Sequence, residues 1–223
     1  MNRNNHYCKT KLLNTLSFIL IFCLFLGSKT IVNGETILGR ISYWDDVEKA
    51  SVGNWGKNTI HLETLKLNGD DSFDFLSAMK SVKKSWGNAL DLTIVREEVH
   101  STSANGDIFF FGGTKEEILL RTGTDLEDIA GLTKKKSSKY GVWQYGNTTK
   151  IGRKITKARC FIASDYDDGG SRTVERLKNV AKHEMGHALG WVGHASKNNV
   201  MYKQESDVTI LTKVDKRHLK QVY

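Results

Sequence analysis

One stretch limits the fold more than any other, because two patterns coincide in it. Between Thr173 and Gly190 the apolar residues Val174, Leu177, Ala181, Ala188 and Leu189 recur at helical spacing, and inside that run stands His183-Glu184-Met185-Gly186-His187. Histidines four apart lie one turn apart on one helical face, so both imidazoles can reach a single metal ion while Glu184 projects beside them. Gly190, three residues after His187, can take the left-handed conformation that ends a helix and turns the chain, bringing His194 round as a third ligand. Three histidines leave one position of a tetrahedral zinc for water, the arrangement of a catalytic rather than a structural site. Glu184 is then placed to act as general base, and the implied chemistry is hydrolysis of a peptide bond by an activated water.

Taken together, His183-Glu184-Met185-Gly186-His187-Ala188-Leu189-Gly190 resembles the opening of the long zinc motif of the metzincin metalloproteases, most of all their matrixin branch. The family's third histidine comes three residues after the glycine, where this chain has Gly193. His194 follows one residue later, so a longer turn is required. The resemblance also implies a methionine turn beneath the metal, with Met201 at about that place. Landmarks at Trp55-Gly56-Lys57, Trp86, Asp107 to Phe111 and Leu211 to Asp215 extend the likeness over residues 54 to 223. It implies an α+β fold of the zincin type: a twisted mixed sheet, two long helices, and a small C-terminal subdomain with a terminal helix. The cofactor it implies is one catalytic zinc, because His61, His100 and His218 are scattered. Calcium is a further candidate, for which Asp70, Asp71, Asp165, Asp167 and Asp168 offer hard oxygen ligands, although the same residues suit turns.

The first 34 residues carry Arg3, Lys9, Lys11 and Lys29 without an acid, around an apolar run from Leu16 to Gly27. A charged start and a run too short to span a bilayer read as a secretory signal peptide, residues 1 to 34, followed by a lead-in or pro-segment from 35 to 53. Removing the leader lowers the net charge from +8 to +4, so a nucleic-acid partner loses support. Cys8 and Cys23 leave with it, and Cys160 alone can form no internal disulfide. In Ala158 to Ala163 the even positions are apolar, so Cys160 reads as a small buried hydrophobe on a strand.

Elsewhere the pattern is less definite. Ile60, Leu62, Leu65 and Leu67 suggest a first strand closed by Asn68-Gly69-Asp70. A helix capped by Asp71 or Ser72 follows, with Phe73, Leu76, Met79, Val82 and Trp86 on one face, and Gly87-Asn88 should stop it. Leu90 to Val95 and Asp107 to Phe111 read as further strands, the second central, with Gly112-Gly113 at its end. Residues 114 to 150 yield no clear element. Their basic run Lys134 to Lys136 reads as a solvated loop, and Asn147-Thr148-Thr149 is a glycosylation sequon. Thr212 and Asp215 form a capping pair for a terminal helix carrying Leu219 and Val222.

The chain contains no proline. Its sharpest consequence is at Tyr202-Lys203-Gln204, where matrixins usually build a pocket wall with that residue. The expectation is a secreted, monomeric zinc endopeptidase acting on protein or peptide substrates such as extracellular matrix, with no membrane anchor once the leader is removed. Two alternatives stay open: an exported zinc-binding protein without turnover, and a cell-wall hydrolase.

Overall fold

The computed structural model describes residues 53–67, 74–102, 105–145, 148–191, 193–220 and 223. The leader, nearly all of the lead-in, Asp70, Asp71, Ser72, Phe73, Asn147 and Val222 lie outside the described residues. The architecture is a mixed sheet packed on two long helices, an α+β arrangement. In chain order the elements are β1 (Gly53–Asn54), β2 (Thr59–Lys66), α1 (Phe75–Leu90), β3 (Thr93–Glu98), β4 (Ile108–Gly113), α2 (Lys115–Thr122), β5 (Gly131–Tyr145), β6 (Thr148–Ala163), α3 (Val174–Ala188) and α4 (Lys213–Leu219).

Sheet order explains where the functional helix can sit. β3, β2, β4 and β6 run parallel in that spatial order, and β1 extends the β4 side of β6. β5 pairs antiparallel to β6 on its other side and has no other strand partner among the described residues, so it is an edge. All six residues of β4 are buried, as expected of a strand covered on both faces. Gly112 and Gly113 belong to the strand rather than ending it. A Cβ on Gly112 would fall 2.5 Å from the Phe75 ring, so that glycine lets α1 approach the sheet.

The first helix also differs from expectation. It starts at Asp74, whose side chain accepts from Ser77 N, and runs through Gly87-Asn88 to end at Asp91 in a left-handed conformation (φ 55°). Gly87 does not stop the helix, because its backbone stays helical and its missing side chain admits Leu92 O, which an added Cβ would meet at 3.1 Å. Leu90 consequently closes α1, and the strand expected from it begins at Thr93. Phe75, Met79, Val82 and Trp86 form the buried face, whereas Leu76 is only partly buried.

Packing then fixes α3 in place. Trp86 Nε1 donates to Lys182 O at 2.9 Å and Trp55 Nε1 donates to Ala188 O at 3.1 Å, so two fully enclosed indoles bind carbonyls of the same helix. Each buries a large apolar area and satisfies its one polar atom, which is how tryptophan stabilises a core at little polar cost. Leu177, Val180, Ala181, Met185 and Ala188 complete the buried face of α3. Its histidine face is left to the cleft.

Candidate metal centre and cleft

Thr173 caps α3 by accepting from Arg176 N, and the helix ends as its sequence suggests. Leu189 N donates to Met185 O, and Trp191 N donates to Gly186 O at 3.0 Å across Gly190, whose φ is 125°. Gly193 is also left-handed, with φ 85°. Two residues in conformations that L side chains rarely adopt flank the buried Trp191 and absorb the extra residue of the turn. His194 arrives beside the other two histidines.

One ring nitrogen from each of His183, His187 and His194 lies within 4.8 Å of the others. Carbonyls, which can only accept, set the tautomers. His183 Nδ1 donates to Val200 O at 2.9 Å and His187 Nδ1 donates to Trp191 O at 3.1 Å. Both Nε2 atoms therefore carry lone pairs, and they face each other at 3.0 Å. A proton between them is disfavoured, since burial lowers the His183 pKa to about 4 and holds His187 well below the usual imidazole range. Neutral imidazoles with converging lone pairs are metal donors. Three histidine nitrogens gathered in this way are the kind of donor that zinc takes. The donor set fits zinc, and it is the one such cluster among the described residues.

Below the histidines, Met201 is fully buried against α3. A Cβ on Gly186 would meet Met201 Sδ at 2.3 Å and Trp86 Cζ2 at 3.1 Å, so Gly186 is where the helix admits the methionine. Asp215 fastens this turn to α4. Its carboxylate accepts from Val200 N (3.1 Å), Met201 N (3.2 Å) and Thr212 N (2.8 Å), the last being part of the expected capping box with Thr212. A residue anticipated only as a helix cap thus also supports the backbone whose Val200 carbonyl orients His183.

Glu184 is 5% exposed and burial pushes its pKa up to about 7, opposed first by a hydrogen bond from Thr133 and then by the charge of Lys135. Thr133 Oγ1 donates to Glu184 Oε2 at 2.6 Å. Gly131 gives room on the same side: a Cβ there would lie 2.8 Å from Glu184 Cγ and Oε1 and from Val180 Cγ1. Lys135 Nζ donates to Trp191 O at 3.0 Å, the carbonyl that also orients His187. The basic run is therefore not a solvated loop. Alternation along β5 turns Lys134 and Lys136 outward and Lys135 inward, where burial lowers its pKa to about 8. Reading residues 131 to 136 as a strand would have placed Gly131, Thr133 and Lys135 on one face.

β5 forms one side of a cleft of about 670 Å³, and Tyr202, Lys203, Gln204 and Glu205 line the other. The second wall is held without proline. Arg172 Nε pairs with Glu205 Oε2 at 3.0 Å, Asn179 Nδ2 donates to Val208 O at 2.7 Å and accepts from Ser206 N through Oδ1, and Lys182 Nζ reaches Thr209 O. Side chains of α3 and of the loop before it do here what a fixed φ angle could do locally.

Of the acidic residues considered for calcium, Asp165, Asp167 and Asp168 lie among the described residues, and each has a partner within the protein. Asp165 Oδ1 accepts from Lys115 N at 2.9 Å, Asp167 pairs with Lys115 Nζ, and Asp168 Oδ1 accepts from Gly170 N at 3.0 Å in a turn. His218 is buried against the Trp191 ring, away from the ligand set, with ring centroids 3.7 Å apart. Cys160 is fully buried beside Thr133, and burial raises its thiol pKa well above the usual value, in keeping with a packing role. No helix among the described residues is long and apolar enough to cross a membrane. A scan against protein-family models finds no match, and a search of curated proteins finds none either.

Proposed function

We propose that this protein is a secreted zinc-dependent endopeptidase of the metzincin type, with a matrixin-like catalytic domain. The observation that carries the reading is the convergence of three histidines and one buried carboxylate on a single cleft. His183, His187 and His194 would hold the ion. When bound there, zinc supplies Lewis acidity that polarises a peptide carbonyl and activates a water.

The rest falls to the chain. Glu184, next to His183 in sequence and facing the same cleft, takes the proton from the attacking water and passes it to the departing amine. A raised carboxyl pKa suits both halves of that task, since the group must accept and then release a proton near neutrality. Among the described residues β5 has no strand on its side away from β6, which leaves an edge along the cleft to which an extended peptide can add as a further strand. Zinc binding alone has no use for an acid at position 184, which argues against an exported zinc-binding protein without turnover.

The deciding experiment uses casein and peptidoglycan, each with and without a zinc chelator. Chelator-sensitive cleavage of casein is expected, and Glu184→Ala should keep stoichiometric zinc while losing activity by about 10²–10⁴-fold. Cleavage of peptidoglycan alone would favour a cell-wall hydrolase. A zinc-loaded protein that cuts neither, or a fully active Glu184→Ala variant, would sink the mechanism.

A further inference from the structure

We infer that Thr133 is the positioning residue for Glu184: its hydroxyl fixes one carboxylate oxygen from the sheet edge so that the other is free for the water. This rests on the peptidase reading above and adds to it a residue outside the histidine motif. Thr133 Oγ1 lies 2.6 Å from Glu184 Oε2, a short hydrogen bond between hydroxyl and carboxyl. The same Oγ1 is 3.0 Å from Glu184 O and 3.4 Å from Cys160 Sγ. A hydroxyl has a single hydrogen, and of these three acceptors Glu184 Oε2 is the nearest.

The neighbouring residues narrow the orientation further. Gly131, two positions earlier on the same face of β5, abuts Glu184 Cγ and Oε1 so closely that a Cβ could not be inserted without displacement. Lys135, two positions later, binds Trp191 O and thereby fastens this face of the strand to the turn after α3. Strand geometry brings all three to the site at once, because alternate residues share a face. Glu184 is thus confined by the bare backbone of Gly131 and held at Oε2 by Thr133, while α3 fixes its Cα. A glutamate left to itself samples many rotamers, and a general base must lie within hydrogen-bond reach of the proton it takes. Outer partners of this kind typically change activity by about 10- to 100-fold when removed.

The test compares Thr133→Val, which keeps the branched shape and removes the hydroxyl, with Thr133→Ser, which keeps the hydroxyl. Both are made in the full zinc-loaded chain and assayed on a peptide that the unmodified protein cuts. For Thr133→Val, kcat should fall about 10- to 100-fold with KM changed less than about two-fold, while zinc affinity and thermal midpoint stay as in the parent. Thr133→Ser should recover most of kcat. Undiminished kcat in Thr133→Val overturns the assignment, as does a loss that tracks weaker zinc binding or a lower midpoint, or a failure of Thr133→Ser to restore turnover. If the unmodified zinc-loaded protein cuts no peptide, the peptidase reading fails and this assignment with it. If that protein is active and Thr133→Val is equally so, the assignment alone fails.

Discussion

The two sides of α3 support different parts of the site by different means. On the C-terminal side, main-chain carbonyls of Trp191 and Val200 orient His187 and His183, and the backbone that carries them is held by Asp215, Met201 and the left-handed Gly190. On the sheet side, residues of the edge strand β5 address Glu184, through the hydroxyl of Thr133 and the missing side chain of Gly131. Carbonyl supports depend on a correctly folded loop, whereas the sheet-side contacts belong to single residues on a strand already paired with β6. Metal holding should therefore be coupled to stability, and base positioning should be separable from both.

The largest effect is expected where the C-terminal side depends on one buried group. Asp215→Ala removes a fully buried carboxylate and strands the N–H groups of Val200 and Met201. At roughly 1–3 kcal/mol for each buried donor left unpaired, stability should fall by at least about 2 kcal/mol. Urea unfolding would read that loss, and zinc titration of the surviving fold should show weaker binding. Unchanged stability, or full zinc affinity with turnover lost, would dissolve the contrast between the two sides.

A smaller and differently distributed effect is expected on the sheet side. Gly131→Ala places a methyl 2.8 Å from Glu184 and Val180, so the carboxylate must shift. Steric intrusions of this size cost about 1–3 kcal/mol in a packed site. Turnover should drop about ten-fold or more while zinc stoichiometry holds. Loss of zinc together with activity would mean that the two supports are not independent.

The smallest effect concerns His218, which packs on Trp191 and does not itself line the cleft. Burial lowers its pKa to about 3, against about 6.5 in an unfolded chain. The unfolded state therefore binds the proton first, so the stability linked to neutral His218 is complete above about pH 6.5 and declines as the pH falls toward 3. His218→Phe should flatten that decline, seen as a smaller difference between unfolding midpoints at pH 7.5 and pH 5 than in the parent. An identical acid dependence in both proteins would assign the loss to the histidine cluster instead.

The two sides were also unequally legible. The helix of residues 174 to 188, its glycine stop and the capping pair of Thr212 with Asp215 follow from spacing within a few turns, because each depends on neighbours close in sequence. β5 does not announce itself in that way. It is an edge strand with three consecutive lysines and little apolar alternation, and only its pairing with β6 and the proximity of α3 make Thr133 and Lys135 part of a site. Gly87 and Gly112 misled for the opposite reason. A glycine in a sequence signals a break, but these two mark where another backbone atom or ring comes close.

By itself the sequence determined which helix carries the paired histidines and the acid between them, and that His194 must be reached through a glycine turn. Those are properties of a 3.6-residue period and of a local φ preference. Only the tertiary structure decided that Asp215 bolts the methionine turn, that a polar segment tied to α3 walls the cleft where no proline is present, and that Thr133 meets Glu184. These contacts join residues from 14 to 51 positions apart, and such pairings depend on how sheet and helices pack rather than on any local pattern.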